Sequence, residues 1–365
     1  MRSMRLMVAA LAAVAMVFGF AVAGFAAGQS EGDYVAVISK GEQHDFWQNV
    51  RAGAEDAAEE FDVEMTYEGP ASEEDVQDQV QMLNSAMARN PSAVALAALD
   101  TEAVMDKLQE AMAQDIPVVG FDSGVPNAPE GAIVANAATN NYEAAGMAAD
   151  EMFEALRGRI EDASSDEPVT IAVLNQDSAA ESLLSRGTGF RDRMIELIDS
   201  ETDHSADDIS VTGNQAYIDD DTPTDGDIVT IDMVVPASAS TTDISSTASN
   251  VFRNVEDDNI IGIFASNEGT VGGVLSATDD GSALGSEFEE VTVVGFDAGS
   301  AQKDAVRQGY FLGSITQDPY MIGYEAVRLA VDAIAGKDVE DVDTGAIFWD
   351  SENMDDPEIA ELLYD

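Results

Sequence analysis

The side chains able to do chemistry are few. The chain has no cysteine and two histidines, His44 and His204, so thiolate nucleophiles, disulfides and thiolate metal sites are excluded. His204 stands in a stretch rich in Asp, Ser and Thr and is expected at the surface. A Ser-His-Asp set would have to use His44 and lacks a G-x-S-x-G turn, and neither a P-loop nor a G-x-G-x-x-G fingerprint occurs. What remains is a series of polar residues, His44, Asp122, Asn267, Asp297 and Gln317, each placed just after an apolar run. Asp, Asn and Gln offer coplanar donors and acceptors that match vicinal hydroxyls in pairs. Phe46, beside His44, could lay an aromatic face against an apolar ring face. Trp47 shares a helical stripe with Val50 and Phe61 and reads equally well as helix core. Arg186, in Arg-Gly-Thr-Gly-Phe, reads as the start of a helix, a conspicuous cation in so acidic a chain. Any one of the polar residues could be a turn or a helix cap, since Asp is a preferred N-cap; their collective placement is the stronger argument.

That placement depends on a repeating frame. Beyond residue 30, short β-branched runs alternate with amphipathic stretches, the pattern of a parallel sheet covered by helices. Strands are expected at 34–39, 63–68, 93–97, 117–122 and 132–136, then at 169–175, 228–235, 260–265, 291–297 and 311–317, with a helix over 46–61. The segment Val118-Val119-Gly120-Phe121-Asp122 recurs as Val293-Val294-Gly295-Phe296-Asp297 at a matching late strand of each series. Two tandem α/β units are therefore expected, with the polar strand ends in the crevice where open α/β sheets bind ligands. Asp318-Pro319 is an N-cap and first-turn signal, which puts Gln317 at the mouth of the sheet. The second series is longer, and its surplus falls in 199–242, read as a solvated acidic insertion. A Ca²⁺ loop there is disfavoured because Pro223 occupies a ligand position and Asp232, not a bidentate Glu, the last one.

The chain has 365 residues, with 16 Lys plus Arg against 71 Asp plus Glu and a formal net charge of −55. Such a polyanion is unsuited to binding a phosphate backbone. The hydrophobic fraction of 45 % is that of a folded chain. Acids are spread throughout and lysine is nearly absent, a pattern that resembles halophilic proteins. At molar salt the Debye length falls to ~3 Å, so self-repulsion is screened while carboxylates keep the surface hydrated. All the acids lie beyond a start that reads Arg2, Arg5, then an apolar run and small residues to Ala27. Residues 1–27 are expected to be a cleaved export signal, with a retained membrane anchor over 6–27 as the alternative.

At these residues the chain resembles the periplasmic sugar-binding proteins of the ribose-binding type, the solute receptors of ABC importers. The resemblance is carried by His44-Asp45-Phe46-Trp47, the run from Ile116 through Gly124, Phe264 through Glu268, Val294-Gly295-Phe296-Asp297 and Ser314-Ile315-Thr316-Gln317. It implies the type I periplasmic binding protein fold: α/β, with two doubly wound parallel-sheet lobes joined by a three-stranded hinge. It places the lobes at 31–138 plus 318–345 and 139–317 plus 346–365, and implies His44, Phe46, Trp47, Asp122, Arg186, Asn267, Asp297 and Gln317 as ligand-binding residues. Ser123 stands where ribose receptors carry Arg, and His44 replaces an Asn, departures that leave the sugar's identity open.

The expected function is an exported, monomeric receptor that captures a monosaccharide or polyol between its lobes. It would present the closed form to ABC importer permease subunits or a chemoreceptor, with no cofactor, metal, nucleic acid or covalent chemistry. A glycosidase using Asp122 and Asp297 is the rival. Their origin at the same place in two repeated halves suits a clamp better than an asymmetric acid and base.

Overall fold

The computed structural model describes residues 32–42 and 44–364. The expected export signal at 1–27 lies outside the described residues. The chain opens with β1 (Tyr34–Ile38), α1 (Asp45–Glu60), β2 (Glu64–Glu68), α2 (Val76–Met87), β3 (Ala93–Leu96), α3 (Met105–Ala113), β4 (Val118–Phe121) and β5 (Ala135–Ala138). A second series follows: α4 (Asn141–Glu161), β6 (Val169–Leu174), α5 (Glu181–Glu201), β7 (Ile209–Gly213), β8 (Val229–Val234), α6 (Thr241–Arg253), β9 (Ile260–Ala265), α7 (Glu268–Ala277), β10 (Thr292–Phe296), α8 (Ser300–Arg307) and β11 (Gly313–Gln317). The chain then runs through α9 (Pro319–Ile334), β12 (Val342–Asp343), β13 (Ala346–Trp349) and α10 (Pro357–Ala360).

Two sheets result, ordered β12-β5-β4-β3-β1-β2 and β13-β11-β10-β9-β6-β8-β7. Strands β1 to β5 stand in the order 2-1-3-4-5, and β6, β8, β9, β10 and β11 repeat that order. The repeated Val-Val-Gly-Phe segments are β4 and the end of β10, at matching places. All strand pairs are parallel except β11 with β13. The chain passes from one sheet's lobe to the other's three times: between β5 and α4, between β11 and α9, and between β12 and β13.

Both faces of each sheet are covered, as a parallel sheet requires. Alternation along β1 shows how the sequence divides them. Val35 and Val37 pack with Val50, Ala54 and Ala57 of α1 and Ala326 and Val327 of α9, while Ala36 and Ile38 pack with Leu83 of α2 and Leu108 of α3. Full burial of each large aliphatic side chain contributes ~1.5–3 kcal/mol. In the second lobe, Met152, Phe153, Phe190 and Met194 of α4 and α5 cover one face, and α6, α7 and α8 cover the other.

The differences from the sequence reading have local causes. The strand expected at 132–136 is β5 at Ala135–Ala138; the β-branched Ile133 and Val134 drew the reading forward, but a turn in which Ala132 N–H donates to Pro129 O takes up the residues just ahead of the strand. The stretch 199–242 is an acidic insertion only in part. It contains β7, which adds a parallel edge strand to β8. That strand buries only Ile209, Ser210 and Val211, too short a run to stand out from its acidic surroundings. Its exposed acids flank β7, with Asp199, Glu201, Asp203 and Asp207 before the strand and Asp219, Asp220, Asp221, Asp225 and Asp227 after it. His204 is half-buried rather than exposed, its Nε2 lying 2.8 Å from Ile160 O. Arg186 does not begin a helix: α5 starts five residues earlier at Glu181.

Candidate functional site

The C-terminal ends of the central strands in both sheets meet at one cavity of about 30 Å³. Its walls include all eight residues singled out from the sequence: His44, Phe46, Trp47, Asp122, Arg186, Asn267, Asp297 and Gln317. Lys40, Glu73, Leu183, Glu268 and Gly269 complete them. Each strand end supplies its group for a reason visible locally. Asp122 and Asp297 follow β4 and β10 directly, and both adopt left-handed backbone, φ 55° and 72°, which turns the carboxylate away from the strand axis. Neither is a helix N-cap; that position before α8 belongs to Gly299. Asn267 does cap α7, accepting from Thr270 N–H at 3.0 Å, while its Nδ2 donates to Gln176 Oε1 at 2.9 Å. Asp318 caps α9 with Pro319 in the first turn, leaving Gln317 buried at the end of β11.

Two buried ion contacts define the floor. Lys40 Nζ lies 2.8 Å from Asp122 Oδ2, with both side chains buried. Arg186 Nη1 lies 3.8 Å from Asp297 Oδ2. The Arg186 guanidinium stacks on Phe296 at 3.8 Å and donates through Nε to Asn141 Oδ1 at 2.8 Å and through Nη1 to Ser266 O at 3.0 Å. Breaking one partner out of a buried pair costs ~3–5 kcal/mol, because the other charge is left uncompensated. Asp297 also accepts from Gln317 Nε2 at 2.6 Å and from Glu268 N–H at 3.1 Å. Burial still holds its carboxyl above the ordinary carboxylate range, with Arg186 and Gln317 offsetting only part of that. For Lys40 burial works to lower the pKa, but the charges of Asp122 and Glu73 outweigh it and the ammonium is held above its ordinary value.

Contacts across the cleft link the lobes. Lys40 Nζ donates to Ser182 Oγ at 3.1 Å. Glu73 accepts from Trp47 Nε1 on its own lobe and from Gln176 Nε2 on the other, each at 2.7 Å. His44 Nδ1 lies 3.5 Å from Glu268 Oε1. Burial would lower the His44 pKa, but Glu268, Glu73 and Asp297 raise it to about 9. Burial raises the Glu268 carboxyl, and His44 offsets only part of that rise. Phe46 is buried edge-on to Trp47 at 4.9 Å and 88°, and its ring centroid lies 6.4 Å from that of Tyr364. Glu73 gave no signal in the sequence, standing in the acidic run Ser72-Glu73-Glu74-Asp75. Lys40 did carry one: it is one of four lysines and directly follows the apolar run of β1 and Ser39.

Both repeated carboxylates are thus engaged by the protein's own donors, Asp122 by Lys40 and Asp297 by Gln317 and a backbone N–H. This is a set of fixed donors and acceptors suited to exchanging partners with a polyhydroxylated ligand. Residues 35–338 match the family described as periplasmic binding protein domain. The chain belongs to that family, one of solute-binding receptors rather than enzymes. A search of curated proteins returned no match. Among solved structures the chain is similar to an ABC transporter, LacI family transcriptional regulator from Brachyspira murdochii, at 37 % identity over 92 % of this chain and 99 % of that one, with a TM-score of 0.74. It is also similar to an ABC transporter solute-binding protein from Agrobacterium vitis with bound D-fucose, at 26 % identity over 91 % and 100 % of the two chains and a TM-score of 0.73. A carbohydrate transporter solute-binding protein from Agrobacterium radiobacter in complex with D-arabinose has 25 % identity over 92 % and 99 %, with a TM-score of 0.73.

Proposed function

We propose that this chain is an exported receptor that captures a neutral monosaccharide or polyol unit between its lobes and delivers it to the permease subunits of an ABC importer. The observation that carries the reading is the convergence of eight polar and aromatic side chains from both lobes on one cavity. The ligands bound to the Agrobacterium proteins, D-fucose and D-arabinose, support a small sugar. Asp122, Asp297, Asn267, Gln317, Arg186 and His44 would grip hydroxyls, and Phe46 with Trp47 would meet an apolar ring face. The cavity has room for about one water, so a sugar ring enters by opening of the lobes and rearrangement of the Lys40–Asp122 and Arg186–Asp297 contacts. The lobes, at 31–138 plus 318–345 and 139–317 plus 346–365, would hinge on the three crossovers. Hydroxyls shared between them would favour the closed state. The Brachyspira protein is described as a LacI family transcriptional regulator, but a net charge of −55 opposes DNA binding by this chain.

Residues 1–27 act in this reading as the export signal, and the acidic surface as an adaptation to high salt. The receptor reading is tested by titration calorimetry on pentoses, hexoses and polyols, with chromatography of the sugar after incubation. Binding with the sugar recovered unchanged is expected; steady release of a hydrolysis product would overturn it. Sequencing the native N-terminus tests export, and an intact Met1 in a membrane fraction would favour an anchored sensor.

A further inference from the structure

A second, larger chamber adjoins the cavity described above. It has a volume of about 340 Å³ and lies between the lobes, against α6, α7 and the start of α8. His44, Glu73, Glu268 and Gly269 line both spaces, so these residues form the partition between them. The volume falls within the ~300–1,000 Å³ usual for small-molecule sites, whereas the inner cavity falls far short of it.

The walls of the chamber have a definite chemistry. Val271 and Leu275 of α7 and Ile244 of α6 give it an apolar side, and Ser72, Ser245 and Ser276 add hydroxyls. Helix α7 turns Gly272 toward this space. A Cβ added there would meet no atom within 4 Å, and the residue is exposed. Any larger side chain would therefore subtract volume from the chamber rather than collide with the fold. Two acceptors in the walls find no hydrogen-bond partner among the described residues: Glu268 Oε2 at the partition and Gln302 Oε1 in the chamber. Gln302 is only 2 % exposed, and its Nε2 is already committed to Ser314 Oγ at 2.5 Å. Buried acceptors without partners are costly, and a ligand hydroxyl would satisfy them.

We propose that this chamber is a second carbohydrate subsite and that the favoured ligand is a disaccharide, with its terminal unit in the inner cavity and its second unit against α6 and α7. The proposal rests on the sugar-receptor reading given above. The apolar side suits the C–H face of a second ring. The serines and the two orphaned acceptors suit its hydroxyls, and the partition residues lie where the glycosidic linkage would pass.

The test is titration calorimetry of the wild-type protein with D-glucose, D-galactose, D-fucose and D-arabinose, and with lactose, melibiose, cellobiose and maltose. The same titrations are run on Gly272→Phe and on Ser276→Phe, one helical turn further along α7, with circular dichroism as the check of folding. At least one disaccharide is expected to bind tenfold or more tightly than its constituent monosaccharides. Either folded variant should remove that advantage while leaving monosaccharide affinity within twofold of wild type. Monosaccharides binding as well as every disaccharide, or a disaccharide advantage that survives both substitutions, would overturn the second subsite and leave the receptor reading intact. Failure of every carbohydrate to bind would overturn the receptor reading itself, and this inference with it.

Discussion

Asp122 and Asp297 end the two copies of Val-Val-Gly-Phe-Asp with the same left-handed backbone, and each turns a buried carboxylate toward the same cavity. Their partners differ: Asp122 meets the ammonium of Lys40, while Asp297 takes hydrogen bonds from Gln317 and the Glu268 backbone, with Arg186 standing further off at 3.8 Å. The duplicated frame thus carries two unlike electrostatic settings, one on each lobe.

Asp122→Asn and Asp297→Asn should each weaken sugar binding by about tenfold to a hundredfold, the loss of ~1–3 kcal/mol when a charge-assisted hydrogen bond is removed. Asn tolerates the left-handed backbone that Ala would strain, so circular dichroism and the melting temperature should change less than for the Ala variants. Calorimetry on the folded variants decides: wild-type affinity in either one would mean that its carboxylate serves only the strand end.

Closure should weaken at alkaline pH. His44 is held at about 9 against an ordinary value near 6.5, and the charges facing it are Glu268, Glu73 and Asp297. A raised pKa means that the contribution of the His44 to Glu268 contact is complete below the ordinary value and is lost as pH rises through about 9. About a third of the ring is exposed, so solvent screening limits the loss of affinity between pH 7 and pH 10 to about tenfold. His44→Gln should bind more weakly at pH 7 and flatten the profile; an unchanged slope in that variant would assign the pH effect elsewhere.

A third expectation concerns the scaffold. Helices α1 and α9 approach so closely that a Cβ on Gly53 would overlap the carbonyl oxygen of Tyr320, and one on Gly323 that of Val50. Gly53→Ala and Gly323→Ala should each destabilise the fold by ~1–3 kcal/mol through overpacking, lowering the urea midpoint while leaving the affinity of the folded fraction unchanged. Midpoints equal to wild type would show that the helices separate at little cost.

Much of this arrangement was legible in the sequence. Alternation of apolar runs with helical stripes located the central strands, and the repeated Val-Val-Gly-Phe-Asp located the two carboxylates. Asn267 beyond β9 and Gln317 at the end of β11 were legible because each closes an apolar run just ahead of a helix start. What stayed hidden was set by tertiary contact. Glu73 reaches the site only because Trp47 and Gln176 draw it in from an acidic loop. Strand β7 has only two buried apolar residues, Ile209 and Val211 on either side of Ser210, and needs β8 beside it to be a strand at all. The position of Arg186 within α5, rather than at its start, depends on Glu181 opening the helix with no side-chain cap to announce it.

Stability should depend strongly on salt. Removal of residues 1–27 takes away Arg2 and Arg5 and no acid, so a chain without them would carry 14 basic against 71 acidic residues, a charge of −57. Most of the arginines and lysines with a recorded ion pair meet nearby surface acids, as Arg51 meets Glu55, Arg193 meets Asp150 and Glu196, and Arg328 meets Asp332. Exposed pairs of this kind contribute little, ~0–1 kcal/mol each, and cannot offset repulsion among the remaining carboxylates. At ~0.1 M salt the Debye length is ~10 Å, long enough for neighbouring surface acids to repel one another; at ~1 M it is ~3 Å and most of that repulsion is gone. The thermal midpoint should therefore rise steeply from dilute buffer to molar NaCl or KCl. Mild acid should act in the same direction by neutralising surface carboxylates. Thermal melts across a salt series at fixed pH check this, and a midpoint that stays flat between dilute and molar salt would remove the halophilic reading and turn attention to a cationic partner for the acidic surface.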